Sequence, residues 1–481
     1  MADFAADRGE EGPRCRVEQC FSPPPNGAPD ENAAICSVAF DQTGAWLGVG
    51  DRGGRVRVYA RRGPRYAPFC AFRSHEPEFD FLKSLEVEEK VSQLQFCGGR
   101  GDRCGVLAAN DRTIKLWSVG EERVGARLEN TNREHGYDEL RVPRLVGGAP
   151  QARARARATY AREHAYHVHS LSVCADGETF LSADDLRVNL WRLDVADRCC
   201  NVVDAKPPNM EDLAEVITTA RFHPVEGHTL LYASSRGAVR LFDLRAAARC
   251  TRPSLVLDAA ARRPPAPGGE DDAASFFAEI VASVSDARFD GDGRFVVTRD
   301  FLCCRTWDVR RAREPVHAAG VHDHLRPKLA DLYEADRIFD KFEVCACRGD
   351  GAVATGGSLC GNQCYGAFDS SRQPRGHRRD ACSMAWRCRF LAARPDTLVD
   401  VHTGGYGRCA VRDAATGLAL DAELVDANGA APPRVPQSGA PADAIDAPDA
   451  SNRVLHVAAH PREETFAAAR GGECYLLKVH R

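Results

Sequence analysis

One supersecondary unit recurs along this chain, and that recurrence limits the possible folds more than any single motif does. Ile35 to Tyr59 reads as an alternating strand, a turn at Asp41–Gly44, a second strand, a Gly/Asp turn and then the strand GRVRVY. The same order returns at Val91 to Trp117, Val168 to Trp191, Val216 to Phe242, Val284 to Trp307 and Val454 to Leu477. Each unit alternates apolar and polar residues with period two, broken by Gly, Asp, Asn or His-Pro turns, which is strand and hairpin chemistry. The third strands are the clearest: NDRTIKLW ending at Trp117, ADDLRVNLW at Trp191, SRGAVRLFD at Asp243 and TRDFLCCRTWD at Asp308. A further unit starts at Asp340 with DKFEVCACRGDGAVATGG, followed by two competing third strands near Tyr365 and Ala410. The stretch between them is rich in arginine and lacks clean alternation, so residues 357–403 read as an insertion within one unit.

The closing Trp-Asp-like strands resemble WD repeats, in which four-stranded sheets pack radially and each covers its neighbour's apolar face. This resemblance implies an all-β, seven-bladed propeller occupying residues 31–481, whose ring closes by pairing N- and C-terminal strands. Residues 1–30 are expected to be a variable, disordered N-terminal segment. The Ala-, Pro- and Asp-rich residues 427–449 read as a disordered linker.

Composition excludes several function classes. With 64 basic and 68 acidic residues the formal net charge is -4, which favours neither nucleic acid nor an anionic membrane. The start of the chain has no secretory pattern, and no segment offers about 18 uninterrupted apolar residues. A cytosolic location is therefore expected, with nuclear entry left open. The 20 cysteines are scattered through strand-like segments, without paired CxxC knuckles or zinc-finger histidines, and read as reduced small hydrophobes. No metal or other cofactor is expected. No GxSxG, P-loop or dinuclear-metal pattern is present, and no set of titratable groups is expected to converge in a central channel.

Six strings give a more specific resemblance. FDFLKSLEVEEK (79–90), NDRTIKLW (110–117), ADDLRVNLW (183–191), KPPNMEDLAEVIT (206–218), SFFAEIVASVSD (275–286) and IFDKFE (338–343) are similar to the 55 kDa regulatory B subunits of protein phosphatase 2A. They stand in that family's order, and HVAAHPREE continues the match near the C-terminus. The resemblance implies a non-catalytic chain that binds a scaffold subunit and a catalytic subunit and recruits phosphoprotein substrates through an acidic groove. A generic WD-repeat adaptor, such as a ubiquitin-ligase substrate receptor, is the alternative.

The same resemblance marks candidate substrate-binding residues: Glu31, Arg52, Asp184, Asp185, Glu211, Leu213, Val216, Phe276, Phe277, Asp336, Phe339 and Lys341. Residue chemistry adds physical readings. Asp184 and Asp185 fall in a strand-entry turn, where an aspartate can also serve as a local cap. Met210, Leu213, Val216 and Ile217 recur at helical spacing beside Glu211, Asp212 and Glu215, predicting a short helix with one apolar and one acidic face. Consecutive Phe276 and Phe277 cannot both point into one face of a strand, so one ring is expected outside. For scaffold binding the candidates are Glu86, Glu88, Glu89 and Lys90, with the excursion at 118–146. The Arg/Ala alternation at Gln151–His164 reads as a solvated blade connection rather than a nucleic-acid site.

Overall fold

Each recurring unit folds as an antiparallel meander that gains a fourth, outer strand. The computed structural model describes residues 14–21, 31–81, 84–98, 103–125, 127–129, 142–161, 163–258, 272–346, 353–357, 386–391, 398–404, 408–413, 419–423 and 453–480. Blade 1 is Ile35–Phe40, Trp46–Asp51, Arg55–Arg62 and Arg65–Arg73; blade 2 is Gln93–Cys97, Cys104–Ala109, Ile114–Val124 and Ala149–Tyr160. Blade 3 is Ser170–Val173, Thr179–Ala183, Arg187–Arg192 and Val195–Asp204; blade 4 is Ile217–Phe222, Thr229–Ser234, Ala238–Asp243 and Leu255–Asp258. Blade 5 is Val284–Phe289, Phe295–Asp300, Cys303–Asp308 and His317–Gly320. A closing blade joins Val454–Ala459, Thr465–Arg470 and Glu473–His480 to Arg14–Phe21 from the other end of the chain. The first strand of each blade lies against the first strand of the next, through Val344–Ala346 and Val454–Ala459 back to Ile35–Phe40. The sheets thus form a closed β-propeller.

Local chemistry explains why the second and third strands turn where they do. A buried Asp or Asn ends the second strand and accepts hydrogen bonds from backbone N–H groups of the turn, an Asx-type cap. Asn110 Oδ1 accepts from Arg112 N and Thr113 N at 3.0 and 2.7 Å. Asp184 Oδ1 accepts from Leu186 N and Arg187 N at 2.9 and 2.7 Å. Asp300 Oδ1 accepts from Leu302 N and Cys303 N at 2.9 and 2.5 Å, and Asp51 Oδ1 from Arg55 N at 2.9 Å. One device therefore serves four blades.

The apolar cores lie between blades, as the radial arrangement requires. Val56, Val58 and blade 2's Leu94, Phe96 and Val106 fill one interface, while Leu107, Ile114, Tyr160 and blade 3's Phe180 and Trp191 fill the next. Burying each such side chain contributes about 1.5–3 kcal/mol. Trp191 is 1% exposed and sits among aromatic neighbours, with ring centroids 5.4 Å from Tyr160 and 6.2 Å from Phe180. Its indole N–H donates to Ser182 Oγ at 2.8 Å, so the ring is fixed at both its apolar and its polar end. Many thiols fill these interfaces too: burial pushes the pKa of Cys97, Cys104, Cys304 and Cys474 up to about 12, as expected of inert small hydrophobes.

Several expectations need correction. Seven blades are not found. Among the described residues there are six four-stranded blades, and a six-stranded sheet fills the sector between blade 5 and the closing blade. That sheet runs from Val344–Ala346 and Val353–Thr355 through Trp386–Leu391, Leu398–Gly404 and Arg408–Asp413 to Ala419–Glu423. The expected insertion at 357–403 thus contributes two paired strands; its other residues beyond 357, and the expected linker at 427–449, lie outside the described residues. The N-terminal segment is not disordered throughout, because Arg14–Phe21 completes the closing blade, with Phe21 buried against Tyr59 at a centroid distance of 4.4 Å. The excursion at 118–146 continues the outer pair of blade 2: Ile114–Val124 pairs with Ala149–Tyr160 and a hairpin of Arg127–Glu129 with Arg144–Val146 extends it. Gln151 to Tyr160 is accordingly blade 2's outer strand rather than a connection between blades.

Candidate binding face

Antiparallel topology decides which candidate residues share a surface. In a four-stranded meander the turn between strands two and three emerges at the same end as the connection from strand four to the next blade. Arg52, Asp184 and Asp185 stand in such turns, whereas Glu88, Glu89, Lys90, Glu211, Leu213, Val216, Phe276, Phe277, Asp336, Phe339 and Lys341 stand in such connections. One face of the propeller therefore carries them all. The 3-10 turn Glu31–Ala33 joins this face next to Arg52, since Arg52 N donates to Ala34 O and Gly53 N to Asn32 O, both at 2.8 Å. The Glu31 side chain lies outside the described set.

The two neighbouring aspartates have opposite environments. Asp184 is fully buried: its Oδ2 lies 2.9 Å from His164 Nδ1, and His164 Nε2 lies 2.6 Å from Ser182 Oγ, which also accepts from Trp191. All donors are used if Trp191 N–H donates to Ser182, Ser182 O–H to His164 Nε2, and His164 Nδ1–H to Asp184. Burial pushes the Asp184 pKa up, but the hydrogen bond from His164 together with two backbone donors holds the carboxyl below its ordinary value. Asp184 is therefore a structural cap, and the expectation that it meets substrate is wrong because no part of it reaches solvent.

Asp185 retains 31% of its side-chain exposure. Its backbone carbonyl accepts from Ile217 N at 2.7 Å, tying the turn to blade 4, and its carboxylate lies 3.7 Å from His169 Nε2. Burial raises its pKa, with Lys341 opposing and Asp184 reinforcing the shift. Lys341 is exposed, and desolvation by its surroundings lowers its pKa, Asp185 raises it and Lys90 lowers it further. Burial lowers the His169 pKa to about 3, so that imidazole is neutral near pH 7. The group thus places a carboxylate, a neutral imidazole and an ammonium within one mouth. Arg52 and Lys90 both act on the buried Cys36 thiol, which places these two cations on the blade 1 side.

Residues 206–218 form no amphipathic helix. A single 3-10 turn, Met210–Asp212, is capped by Asn209, whose Oδ1 accepts from Glu211 N at 3.2 Å, and the chain is extended from Leu213 onward. Three helical residues are too few for helical spacing to define a face. Val216 instead pairs with the neighbouring turn, its N–H donating to Ser235 Oγ at 3.1 Å and its carbonyl accepting from Ser235 N at 2.9 Å. Glu211 is exposed, while Leu213 and Val216 are half-buried.

Phe276 and Phe277 lie on a helix, α1 (Asp272–Ala282), where successive side chains diverge by about 100°. Phe276 is 48% exposed and Phe277 half-buried; their centroids stand 5.5 and 6.0 Å from Tyr333 on a second helix, α2 (Leu329–Glu334). Phe339, 54% exposed, joins them 5.8 Å from Tyr333. Asp336, exposed and left-handed with φ 53°, starts the turn that turns Phe339 outward. Sequence reasoning missed Tyr333, although LYE two residues before Asp336 already pointed to an aromatic on that connection.

Of the scaffold candidates, Glu86 is exposed on the hairpin Glu78–Asp80/Leu85–Val87. Exposed Glu88 and half-buried Glu89 and Lys90 lie on the return to blade 2, where the Glu88 carbonyl accepts from Asn110 Nδ2 at 3.2 Å.

A convergent set of charges lies on the inner strands after all. Arg288 Nε donates to Asp286 at 2.9 Å, Arg221 and Asp286 approach to 3.8 Å, and Arg288 and Glu343 to 3.7 Å. His456 lies 3.4 Å from Glu343, while backbone N–H groups of Val344 and Val457 donate to Asp286 and Glu343 at 3.0 and 3.1 Å. Burial raises the Glu343 pKa, yet His456, Arg288 and Arg221 outweigh it and bring it down to about 2. Charge balance and backbone donors make this a strap across neighbouring blades. Its signal was visible in ITTARF and VSDARF, inner strands with charges at core positions. Among the described residues no group of three or more His, Cys, Asp or Glu is placed to hold a metal ion, and no helix is long and apolar enough to cross a membrane.

No family model matches the chain. Curated relatives do. The chain is 37% identical over 463 residues to the regulatory B subunit of protein phosphatase PP2A from Schizosaccharomyces pombe, covering 92% of this chain and 93% of the relative. It is 36% identical over 497 residues to the beta isoform of the 55 kDa regulatory B subunit of serine/threonine protein phosphatase 2A from Arabidopsis thaliana, covering 92% of each. It is 35% identical over 549 residues to the alpha isoform of the same 55 kDa type from Oryza sativa subsp. japonica, covering 99% of this chain and 87% of the relative. A WD-type propeller with these relatives belongs to the family of regulatory B subunits of protein phosphatase 2A, and is a non-catalytic regulator of a serine/threonine phosphatase.

Proposed function

We propose that this propeller recruits phosphoprotein substrates to a phosphatase 2A catalytic subunit held next to it on a scaffold subunit. The observation that carries the reading is one face combining Asp185 and Glu211 with exposed rings of Phe276, Tyr333 and Phe339. A basic amphipathic helix of a substrate has matching chemistry, since apolar anchors suit the rings and Lys or Arg suits the carboxylates. Tethering of this kind raises the effective substrate concentration at a neighbouring active centre without supplying catalytic groups. Exposed Glu86 and Glu88, with half-buried Glu89 and Lys90, all on the connection from blade 1 to blade 2, are the residues we assign to a scaffold ridge.

The test is affinity purification of the tagged chain from cells. Scaffold and catalytic chains should co-purify, and Asp185→Lys should lose substrate capture while retaining both. Absence of both subunits, or substrate capture unchanged in Asp185→Lys, would overturn the assignment.

A further inference from the structure

We propose that the outer strand of blade 2 is a docking edge for an acidic, extended peptide segment that joins the sheet as a fifth strand. Ala149–Tyr160 is the terminal strand of its sheet and, at 12 residues, the longest outer strand of the described blades. Its alternation divides the side chains by face. Ala154 pairs with Val119 and packs against the core between blades 1 and 2, whereas Arg153 and Arg155 pair with Gly120 and Ser118 and are exposed on the opposite face. Arg157, the unpaired residue of the bulge between Ala156 and Ala158, is exposed as well.

The opposite face has been left accessible. Arg103 lies over Gly120, where any Cβ would collide with its Cγ, and extends to Glu122 at 3.2 Å. Arg155 reaches the same carboxylate at 2.6 Å yet keeps 64% of its side-chain exposure. Within the described residues of 118–129 and 142–157 there are six arginines and three glutamates, a local charge of +3 on a chain whose net charge is -4.

Two physical points select the partner. A strand edge offers backbone N–H and C=O groups to any extended chain, and a row of like charges discourages pairing with a second copy of itself. The same row attracts a strand with acidic residues at alternate positions, because residues i and i+2 of a strand recur every ~6.7 Å on one face in both chains. Cross-strand opposite charges then meet pair by pair while the added backbone supplies hydrogen bonds. This docking edge is separate from the acidic, aromatic face, so the chain can hold two partners at once.

Fluorescence anisotropy with the full-length chain tests this, using a labelled nine-residue peptide of alternating Glu and Thr and a block peptide of the same composition. The alternating peptide should bind at least ~10-fold more tightly, and N-methylation along one backbone edge should remove that advantage. The triple variants R153E/R155E/R157E and R153Q/R155Q/R157Q, all at exposed positions, should each lose binding at unchanged melting temperature. The glutamate variant should instead bind an alternating Lys–Thr peptide. Equal binding of the two acidic peptides, equal competition by a short RNA, indifference to N-methylation or to the triple substitutions, or self-association of the wild-type chain through this edge would overturn the proposal.

Discussion

Asp184→Ala isolates the buried cap. The substitution removes an acceptor from Leu186 N, Arg187 N and His164 Nδ1, at 2.9, 2.7 and 2.9 Å, in a fully buried site. Each donor stranded without water costs about 1–3 kcal/mol, and removing one member of a buried charged network costs about 3–5 kcal/mol in total. Unfolding entropy of about 2.1 cal/mol/K per residue, over 481 residues, comes to about 1 kcal/mol/K, so the melting temperature should fall by roughly 3–5 °C. Asp184→Asn keeps both backbone bonds and should lose only a fraction of that. Asp185→Ala removes a part-exposed carboxylate and should change stability by less than about 0.5 kcal/mol. Differential scanning calorimetry on the three variants measures the contrast. Equal melting temperatures for Asp184→Ala and wild type, or a larger loss in Asp185→Ala, would refute the division of labour between these neighbours. The sign with pH follows from the direction of the shift: the Asp184 carboxyl is held below its ordinary value, so its contribution is present above about pH 4 and is lost on acidification.

The other predictions concern the channel, the mouth and the aromatic rim. Glu343 titrates near 2 in the fold against about 4.3 unfolded, so Glu343→Gln should flatten the loss of stability between roughly pH 5 and 2, measured by urea midpoints across pH. His169 acts in the same sense over a higher window, remaining neutral in the fold to about pH 3 while the unfolded chain takes up a proton near 6.5. His169→Asn should therefore remove about 1.4 kcal/mol per pH unit of acid destabilisation between those values, and an unchanged slope would count against its burial. The double variant Phe276→Ala/Phe339→Ala removes exposed rings and should leave the melting temperature within about 1 °C, while weakening substrate capture at least ~10-fold by titration calorimetry.

Repetition made most of the propeller legible. Period-two alternation located the first three strands of blades 1 to 5 and of the closing blade, because these strands bury one or both faces between neighbours. The outer strands stayed hidden: RYAPFCAFR, APQARARARATY and HAAG are half-solvated edges, where solvent relaxes the pattern. Helical spacing misled at Met210, since propensity over four residues yields to the short span available between two blades. For α1 the reverse held, as SFFAEIVA carries a helical stripe that its position beside a strand concealed.

The sequence alone therefore determined the radial sheet architecture and the family, because both are written in local repeats and in strings of exact residues. What tertiary structure alone decided was which of two adjacent aspartates is sealed and which is open. It also revealed that Arg221, Asp286, Arg288, Glu343 and His456 meet. Both outcomes depend on the closing of the ring, which brings residues from distant blades within a few ångströms and fixes which side chains water can still reach.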